Sequence, residues 1–289
     1  MPAERFTNQT AIVTGASSGI GLAVARRLAS EGARLLLVAS PLDKDDLDRA
    51  ETEIVDLGAE VEVLAADLGY PATGTLAVNA AVDRFGGLDV LVNCAGIAFF
   101  EEALDTPIEH MQATLAVNVT GLFSIIQAAA RVMSRTGGGA IVNTASTSAL
   151  IADEFQVTYS TSKGAVLAMT RAFATDLADH GIRVNAVAPG WVETRTTRAV
   201  INDEELWGKH RTRLLLDRPG SADEIAAVHA FLASSEATYV SGSAFVCDGG
   251  MTAGFRWSDW LVSPVPEGTQ VGIPTLSPTL GRPVLMPES

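Results

Sequence analysis

A tyrosine and a lysine lie four residues apart at Tyr159 and Lys163. On a helix this spacing places the phenol and the ammonium on one face. A tyrosine titrates near 10 in water and is a poor base at neutral pH, but a nearby cation favours the phenolate. Lowering a phenol pKa by about three units takes ~4 kcal/mol of differential stabilisation, which a partly desolvated lysine can help to supply. The pair therefore suits proton exchange with the oxygen of an alcohol or ketone.

Two further polar residues fall where they can join this pair. Ser146 precedes Tyr159 by thirteen residues and directly follows an apolar segment expected to be a strand. Ligands of open α/β sheets bind at that carboxyl edge. Asn118 falls inside a helical stretch of the preceding crossover. A Y-x-x-x-K motif can arise by chance and is weak evidence for a catalytic site when it stands alone. The candidate catalytic set therefore comprises four residues: Asn118, Ser146, Tyr159 and Lys163.

A glycine-rich turn follows the first predicted strand and opens a helix. Gly15 allows a sharp turn, Gly19 allows a close approach to a pyrophosphate, and Gly21 allows the helix to pack against the sheet. The N–H groups at the helix N-terminus are donors for phosphate. We therefore expect dinucleotide contacts from Gly15, Ser17, Ser18, Gly19, Ile20 and Gly21.

Seven short apolar segments are the elements that must position these residues. They are Ala11–Thr14, Leu35–Val38, Val61–Ala65, Val90–Asn93, Ala140–Asn143, Val184–Val187 and Ala244–Cys247. Their apolar residues are consecutive rather than alternating, which is typical of parallel strands covered on both faces. Helical stretches separate them, so the sequence predicts an α/β fold: a doubly wound, Rossmann-type sheet of seven parallel strands with helices on both faces. We assign this catalytic domain to residues 1–254.

Composition excludes several classes of protein. The chain has 289 residues, 47% of them hydrophobic, which excludes a disordered protein. Its net charge of −14 argues against nucleic acid or a membrane surface as a partner. Two cysteines are too few for a disulfide framework, and four scattered histidines indicate no metal site. With no signal peptide and no apolar run near the ~18 residues of a membrane span, we expect a cytoplasmic protein.

The last 35 residues differ from the rest of the chain. Residues 255–289 hold six of the twelve prolines, a density that blocks helices and interior strands. Their tryptophans and aliphatic residues are too apolar for a solvated linker. We expect an extended proline-rich arm that packs on its own body or on a neighbouring subunit; a frayed tail is the alternative.

Several motifs together resemble the short-chain dehydrogenase/reductase family. The glycine turn reads T-G-x-x-x-G-x-G, and the Asn, Ser, Tyr and Lys spacings match the family pattern. Cys94 departs from it, since it occupies the second position of an N-N-A-G element. The resemblance covers residues 7 to about 254. The resemblance implies cofactor contacts from further matching positions: Asp67, Leu68, Asn93, Ala95, Gly96, Pro189, Gly190, Val192 and Thr194. Asp248-Gly249-Gly250 closes the last strand as it does in this family.

The resemblance implies an oxidoreductase that moves a hydride between NAD(P)(H) and a secondary alcohol or ketone. Lys163 would hold the nicotinamide ribose as well as assist Tyr159. Ser146 would hydrogen-bond the substrate oxygen, and Asn118 would hold a water that links Lys163 to solvent. The family usually forms tetramers or dimers, so a homotetramer or homodimer is expected. Two alternatives are a 3-oxoacyl-carrier-protein reductase, against which the acidic charge argues, and a non-catalytic cofactor-binding regulator.

The choice between NAD and NADP is left open by the sequence. NAD preference normally needs an acid at the end of the second strand, where Ala39 and Ser40 stand. No base is present for a 2′-phosphate, since Lys44 lies within a run of aspartates. The missing acid slightly favours NADP, with Ser40 as a ribose contact.

The substrate is expected to be apolar or cyclic. Residues 195–218 carry Trp207 and the run Leu214 to Leu216 among mixed charges, which suits an amphipathic lid over the substrate. Apolar residues fall on loops at the same edge of the sheet: Phe99, Phe100, Leu150, Ile151, Phe155 and Trp191.

Overall fold

The fold is a seven-stranded parallel sheet in a computed structural model that describes residues 4–254. The strands are β1 (Thr10–Thr14), β2 (Arg34–Ala39), β3 (Val61–Ala65), β4 (Val90–Asn93), β5 (Gly139–Thr144), β6 (Ile182–Pro189) and β7 (Ala244–Cys247). Their order is β3-β2-β1-β4-β5-β6-β7, and every neighbouring pair is parallel. The predicted fold and all seven strands are confirmed. The proline-rich arm expected at 255–289 lies outside the described residues.

Helices connect successive strands and cover both faces of the sheet. They are α1 (Gly19–Ser30), α2 (Lys44–Asp56), α3 (Ala72–Phe85), α4 (Ile108–Leu115), α5 (Leu122–Thr136), α6 (Val157–Asp176), α7 (Arg198–Ile201), α8 (Glu204–Arg211) and α9 (Ala222–Ala233). The short helices α7 and α8 fall within the segment expected to form the lid.

Two apolar layers explain why the strands are apolar on consecutive residues. Val13 and Leu37 belong to the layer that includes α1, α2 and α9, whereas Ile12 and Leu36 belong to the layer with α3, α5 and α6. All four side chains are fully buried. Since successive strand residues point to opposite faces, each face needs its own apolar set.

A π-helical turn, Ala116–Gly121, joins α4 to α5. Gly121 lets this turn approach the loop after β3, because a Cβ there would lie 2.1 Å from the carbonyl oxygen of Leu68. π-Helical turns inside helices are often found at functional sites. The sequence predicts an ordinary helix around Asn118, and the structure places this residue in the π turn instead.

The continuous helical stretch Ile108–Thr136 is long and apolar enough to cross a membrane by length and composition alone. It has 29 residues and a mean hydropathy of 1.5 over its most apolar 18-residue window. Half of that window is buried inside the fold, as in the core helix of a soluble protein. The stretch is therefore weak evidence for a membrane span.

Replacing Gly121 by Ala should destabilise the protein by about 3 kcal/mol, because the added methyl group meets the Leu68 carbonyl and forces the backbone apart. Gly164→Ala is the matched control, since a Cβ at this position in α6 has no neighbour within 4 Å. Alanine there should stabilise the helix by about 0.5–1 kcal/mol. Urea unfolding measures both changes; equal stabilities of the two variants would contradict this packing.

Candidate active site

A cavity of about 530 Å³ opens at the carboxyl ends of the strands. Its lining comes from the segments that follow β1, β4 and β5, from the end of β6 and the loop after it, and from Asp43 after β2. The glycine turn, Tyr159 and Lys163 all contribute to this one cavity. The elements thus bring the predicted phosphate-binding and proton-transfer residues to the same edge of the sheet.

Most of the predicted site residues line this cavity. They are Gly15, Ser17, Ser18, Gly19, Ile20, Gly21, Ala95, Gly96, Ser146, Tyr159, Lys163, Pro189, Gly190, Val192 and Thr194. The other predicted residues are not part of the lining: Ser40, Asp67, Leu68, Asn93 and Asn118.

Four of the residues outside the lining have local structural roles. Ser40 Oγ accepts a hydrogen bond from the backbone N–H two residues later, and Asp67 Oδ1 does the same. Leu68 is buried in the apolar layer with α3 and α5. Asn93 donates through Nδ2 to Asn143 Oδ1 at 2.9 Å, which links β4 to β5. Cofactor contacts from these four residues stay predictions.

Lys163 is held by the end of β5. Its Nζ donates a hydrogen bond to the Thr144 carbonyl oxygen at 2.8 Å, and the residue is only 4% exposed. The same nitrogen lies 5.5 Å from the centroid of the Tyr159 ring. The i to i+4 spacing on α6 therefore places the amine beside the phenol, as predicted.

Asn118 fixes the loop after β4 through its side chain. Its Nδ2 donates to the Ile97 carbonyl oxygen at 2.9 Å and to Ser162 Oγ at 3.0 Å, while its Oδ1 accepts from the Ile97 N–H at 2.9 Å. A Cβ on Gly96 would lie 3.2 Å from Asn118 Oδ1 and 3.5 Å from Lys163 Nζ. Both amide hydrogens are thus used within the protein, so they are not donors for the water expected here.

Ser146 presents its hydroxyl at the cavity wall. It follows β5 by two residues, and its Oγ accepts a hydrogen bond from the Ser148 N–H at 3.1 Å. This bond orients the oxygen and leaves the hydroxyl proton as a donor. The residue is buried and lines the same cavity as Tyr159.

A buried polar chain that the sequence did not reveal lies behind Thr144. His229, on α9, donates through Nδ1 to the Ile225 carbonyl oxygen at 3.0 Å, and its Nε2 lies 2.9 Å from Thr144 Oγ1. Cys94 Sγ lies 3.3 Å from the same hydroxyl oxygen. Burial lowers the pKa of His229 to about 4 and raises that of Cys94 to about 11, so both are neutral at pH 7.

The predicted lid contributes an aromatic cluster. Trp191 lines the cavity and packs against His210 on α8, with ring centroids 4.2 Å apart, and against Trp207 at 6.1 Å. Burial in this cluster lowers the pKa of His210. Arg213 forms an ion pair with Asp153, which joins the segment after α8 to the loop before α6.

The cavity wall is more polar than the sequence predicts. Of the apolar residues expected there, Phe100 and Trp191 line the cavity, whereas Phe99, Leu150, Ile151 and Phe155 are not part of its lining. Three polar residues line it instead: Ser148, Asp153 and Gln156. Ser148 Oγ donates to Gln156 Oε1 at 3.0 Å, which leaves the amide nitrogen of Gln156 to donate to a ligand.

The glycine turn fits a dinucleotide pyrophosphate. Gly15 has φ of +66°, and a Cβ on Gly21 would lie 2.2 Å from the Gly15 carbonyl oxygen, so both positions require glycine. The side chain of Ser18, at the N-cap of α1, makes no capping hydrogen bond. The N–H groups of the first turn of α1 are therefore donors for a phosphate. Within residues 4–254 no cluster of three or more His, Cys, Asp or Glu could hold a metal ion.

Comparisons with known proteins agree with this geometry. A family model described as "Enoyl-(Acyl carrier protein) reductase" matches residues 15–252. L-rhamnose 1-dehydrogenase (NAD(P)(+)) of Azotobacter vinelandii is 40% identical over 84% of this chain and 96% of its own length. Galactitol 2-dehydrogenase (L-tagatose-forming) of Cereibacter sphaeroides is 41% identical over 86% of this chain and 96% of its own length. A short-chain type dehydrogenase/reductase structure from Mycobacterium marinum has a TM-score of 0.81 and 36% identity, covering 87% of this chain and 98% of that chain.

The buried His229 should make the protein less stable in acid. Its folded pKa of about 4 lies below the ordinary value of 6.5, so the unfolded chain binds a proton that the folded protein does not. The free energy of unfolding should therefore fall by about 3 kcal/mol as the pH drops from about 6.5 to about 4.

His229→Gln should remove that part of the pH dependence, whereas His180→Gln should leave it intact because His180 is exposed. Urea unfolding at a series of pH values measures the effect. An unchanged slope for His229→Gln in this pH range would contradict the assignment.

Proposed function

The chain belongs to the short-chain dehydrogenase/reductase family, and we propose that it acts on a polyhydroxylated secondary alcohol or the corresponding ketone, with Tyr159 exchanging the proton. It is an NAD(P)-dependent oxidoreductase of secondary alcohols and ketones. The observation that carries the proposed site is that Tyr159 and the buried Lys163 share one cavity with the glycine turn.

The proposed chemistry divides between the cofactor and the protein. When bound, the nicotinamide supplies or accepts the hydride. Tyr159 Oη takes the hydroxyl proton of the alcohol during oxidation and returns it during ketone reduction. The Ser146 hydroxyl donates to the substrate oxygen and sets its distance from Tyr159. Lys163 donates one N–H to the Thr144 carbonyl oxygen, which leaves two N–H donors for the ribose hydroxyls and the phenol oxygen.

Asn118 acts as a positioning residue in this proposal. Its amide holds the backbone of Ile97 through two hydrogen bonds and Ser162 through a third. Ser162 immediately precedes Lys163 on α6, so the π turn fixes both the floor of the cavity and the lysine. A water link to Lys163 would have to use other atoms than the amide hydrogens of Asn118.

The polar wall supports a substrate that carries several hydroxyl groups. Gln156 and Asp153 offer a donor and an acceptor in the same cavity as Tyr159, and Trp191 offers an aromatic side chain against which a sugar ring can pack. The two relatives described above act, by name, on a sugar and on a sugar alcohol. This revises the apolar substrate that the sequence suggests. The names of these relatives give no support to a carrier-protein reductase or to a non-catalytic regulator.

The cellular context is also part of the proposal. Residues 1–254 would form one catalytic domain, with 255–289 as an appended arm. Cys94 and Cys247 are free thiols, which suits a reducing cytoplasm. A homotetramer or homodimer would cover the exposed apolar side chains Ile108, Phe123 and Val157, which lie on α4, α5 and α6.

Tyr159→Phe should reduce kcat at least about 1,000-fold, because the variant has no oxygen to exchange the proton. Binding of NADH and NADPH, measured by fluorescence titration, should stay within about threefold. Tyr239→Phe is the control, since Tyr239 is fully exposed. Activity of Tyr159→Phe within tenfold of the wild type would refute the assignment.

Gln156→Leu should lower kcat/KM for galactitol or a similar polyol about tenfold, because a substrate hydroxyl loses its partner. For a simple secondary alcohol the value should change less than twofold. Gln112→Leu, on the exposed side of α4, is the control and should change neither value. Equal losses for both substrates would contradict the proposed polyol contact.

A further inference from the structure

An acid lies four residues beyond the end of β2, where Ala39 and Ser40 supply none. Ala39 is buried, and Ser40 uses its Oγ on the N–H of Leu42. The short 3-10 turn Pro41–Asp43 then carries Asp43 to the wall of the cavity that the glycine turn lines. We infer that Asp43, paired with Arg195 of the lid, binds the hydroxyl groups of the adenosine ribose of the dinucleotide. This contact makes the protein prefer NAD over NADP. The inference rests on the proposed function.

Asp43, Asp46 and Arg195 form an ion triad at the corner of the cavity that Asp43 and Arg195 line. Arg195 Nη2 donates to Asp43 Oδ1 at 2.8 Å, and Nη1 donates to Asp46 Oδ2 at 2.6 Å. The pKa of Arg195 is raised by these carboxylates, with the hydrogen bond to Asp43 as the largest cause. Two carboxylates thus share the Arg195 guanidinium. Asp46 also pairs with Arg49, whereas Asp43 has Arg195 as its one ionic partner among the described residues.

The triad lies next to the phosphate turn. A Cβ on Gly19 would lie 3.4 Å from Thr194 Cγ2, so the segment that carries Arg195 meets the glycine turn across the cavity. Asp43, Gly19, Thr194 and Arg195 all line the cavity. Phosphates bound at the start of α1 would place the adjoining adenosine ribose within reach of this corner.

The charges at this corner discriminate between the two dinucleotides. A 2′-phosphate adds between one and two negative charges near pH 7 and would face Asp43, the acid of the triad that lines the cavity. The described cations there are already paired: Arg195 with both acids, Arg49 with Asp46, and Lys44 with Asp48.

A ribose diol brings no charge. Its hydroxyls can donate to Asp43 Oδ2, which makes no hydrogen bond within the described part of the chain. The corner therefore accepts NAD at no electrostatic cost and repels NADP, the reverse of the slight preference inferred from the sequence alone.

Equilibrium binding of NADH and NADPH to the purified protein, followed by nucleotide fluorescence, tests this inference without turnover. The wild type should bind NADH at least about tenfold more tightly than NADPH. Asp43→Asn releases Arg195 from one acid and removes one repulsive charge, so it should reduce this ratio at least about tenfold, mainly through tighter NADPH binding. Asp45→Asn makes the same charge change at an exposed residue outside the cavity lining and should leave the ratio within twofold.

Arg195→Gln provides a second measurement if Asp43→Asn folds poorly. Removing the guanidinium leaves Asp43 without an ionic partner, so NADPH binding should weaken more than NADH binding. Tighter wild-type binding of NADPH, or an unchanged ratio in Asp43→Asn and Arg195→Gln, would overturn the inference while leaving the oxidoreductase site intact. Failure of the wild type to bind either dinucleotide would overturn the proposed function and this inference together.

Discussion

A buried ammonium group is the constraint on which the rest of this site depends. Lys163 is almost completely enclosed, and in the described part of the chain it has no carboxylate partner. Burying an unpaired charge costs several kcal/mol unless hydrogen bonds satisfy it. The Thr144 carbonyl satisfies one N–H, and the open side of the amine faces the cavity. The lysine is thus stable where it stands while still presenting donors to a ligand.

Several elements that are separate in sequence hold this amine in place. Thr144 ends β5, and its hydroxyl is held from the opposite side of the sheet by His229 of α9. Gly96 lets the loop after β4 pass between Asn118 and Lys163, where an added Cβ would crowd Asn118 Oδ1 at 3.2 Å. The π turn places Asn118 where its Oδ1 accepts a hydrogen bond from the Ile97 N–H in that loop. Helices from both faces of the sheet therefore fix the position of one nitrogen atom.

The fold could be predicted because burial on both faces leaves a direct mark on the sequence. A strand such as Leu35–Val38 must be apolar at every position when both faces pack against helices. The shared cavity of Tyr159, Lys163 and the glycine turn followed from their spacing and from their places after strands.

Contacts between segments distant in sequence could not be predicted in this way. The pairing of Arg195 with Asp43 joins residues 152 positions apart, and the hydrogen bond of Thr144 with His229 spans 85 positions. The π turn was equally hidden, because Ala116–Gly121 continues directly from α4 into α5 as one helical stretch. Gln156 and Asp153 gave no signal, since polar residues in a loop before a helix are common.

The most direct test of the account is a crystal structure of the protein with bound dinucleotide and a polyol substrate or its ketone. Lys163 Nζ should keep its hydrogen bond to the Thr144 carbonyl and donate to the nicotinamide ribose. The substrate oxygen should lie within hydrogen-bond distance of both Tyr159 Oη and Ser146 Oγ. A nicotinamide ring bound outside this cavity, or a substrate oxygen held by other residues, would contradict it.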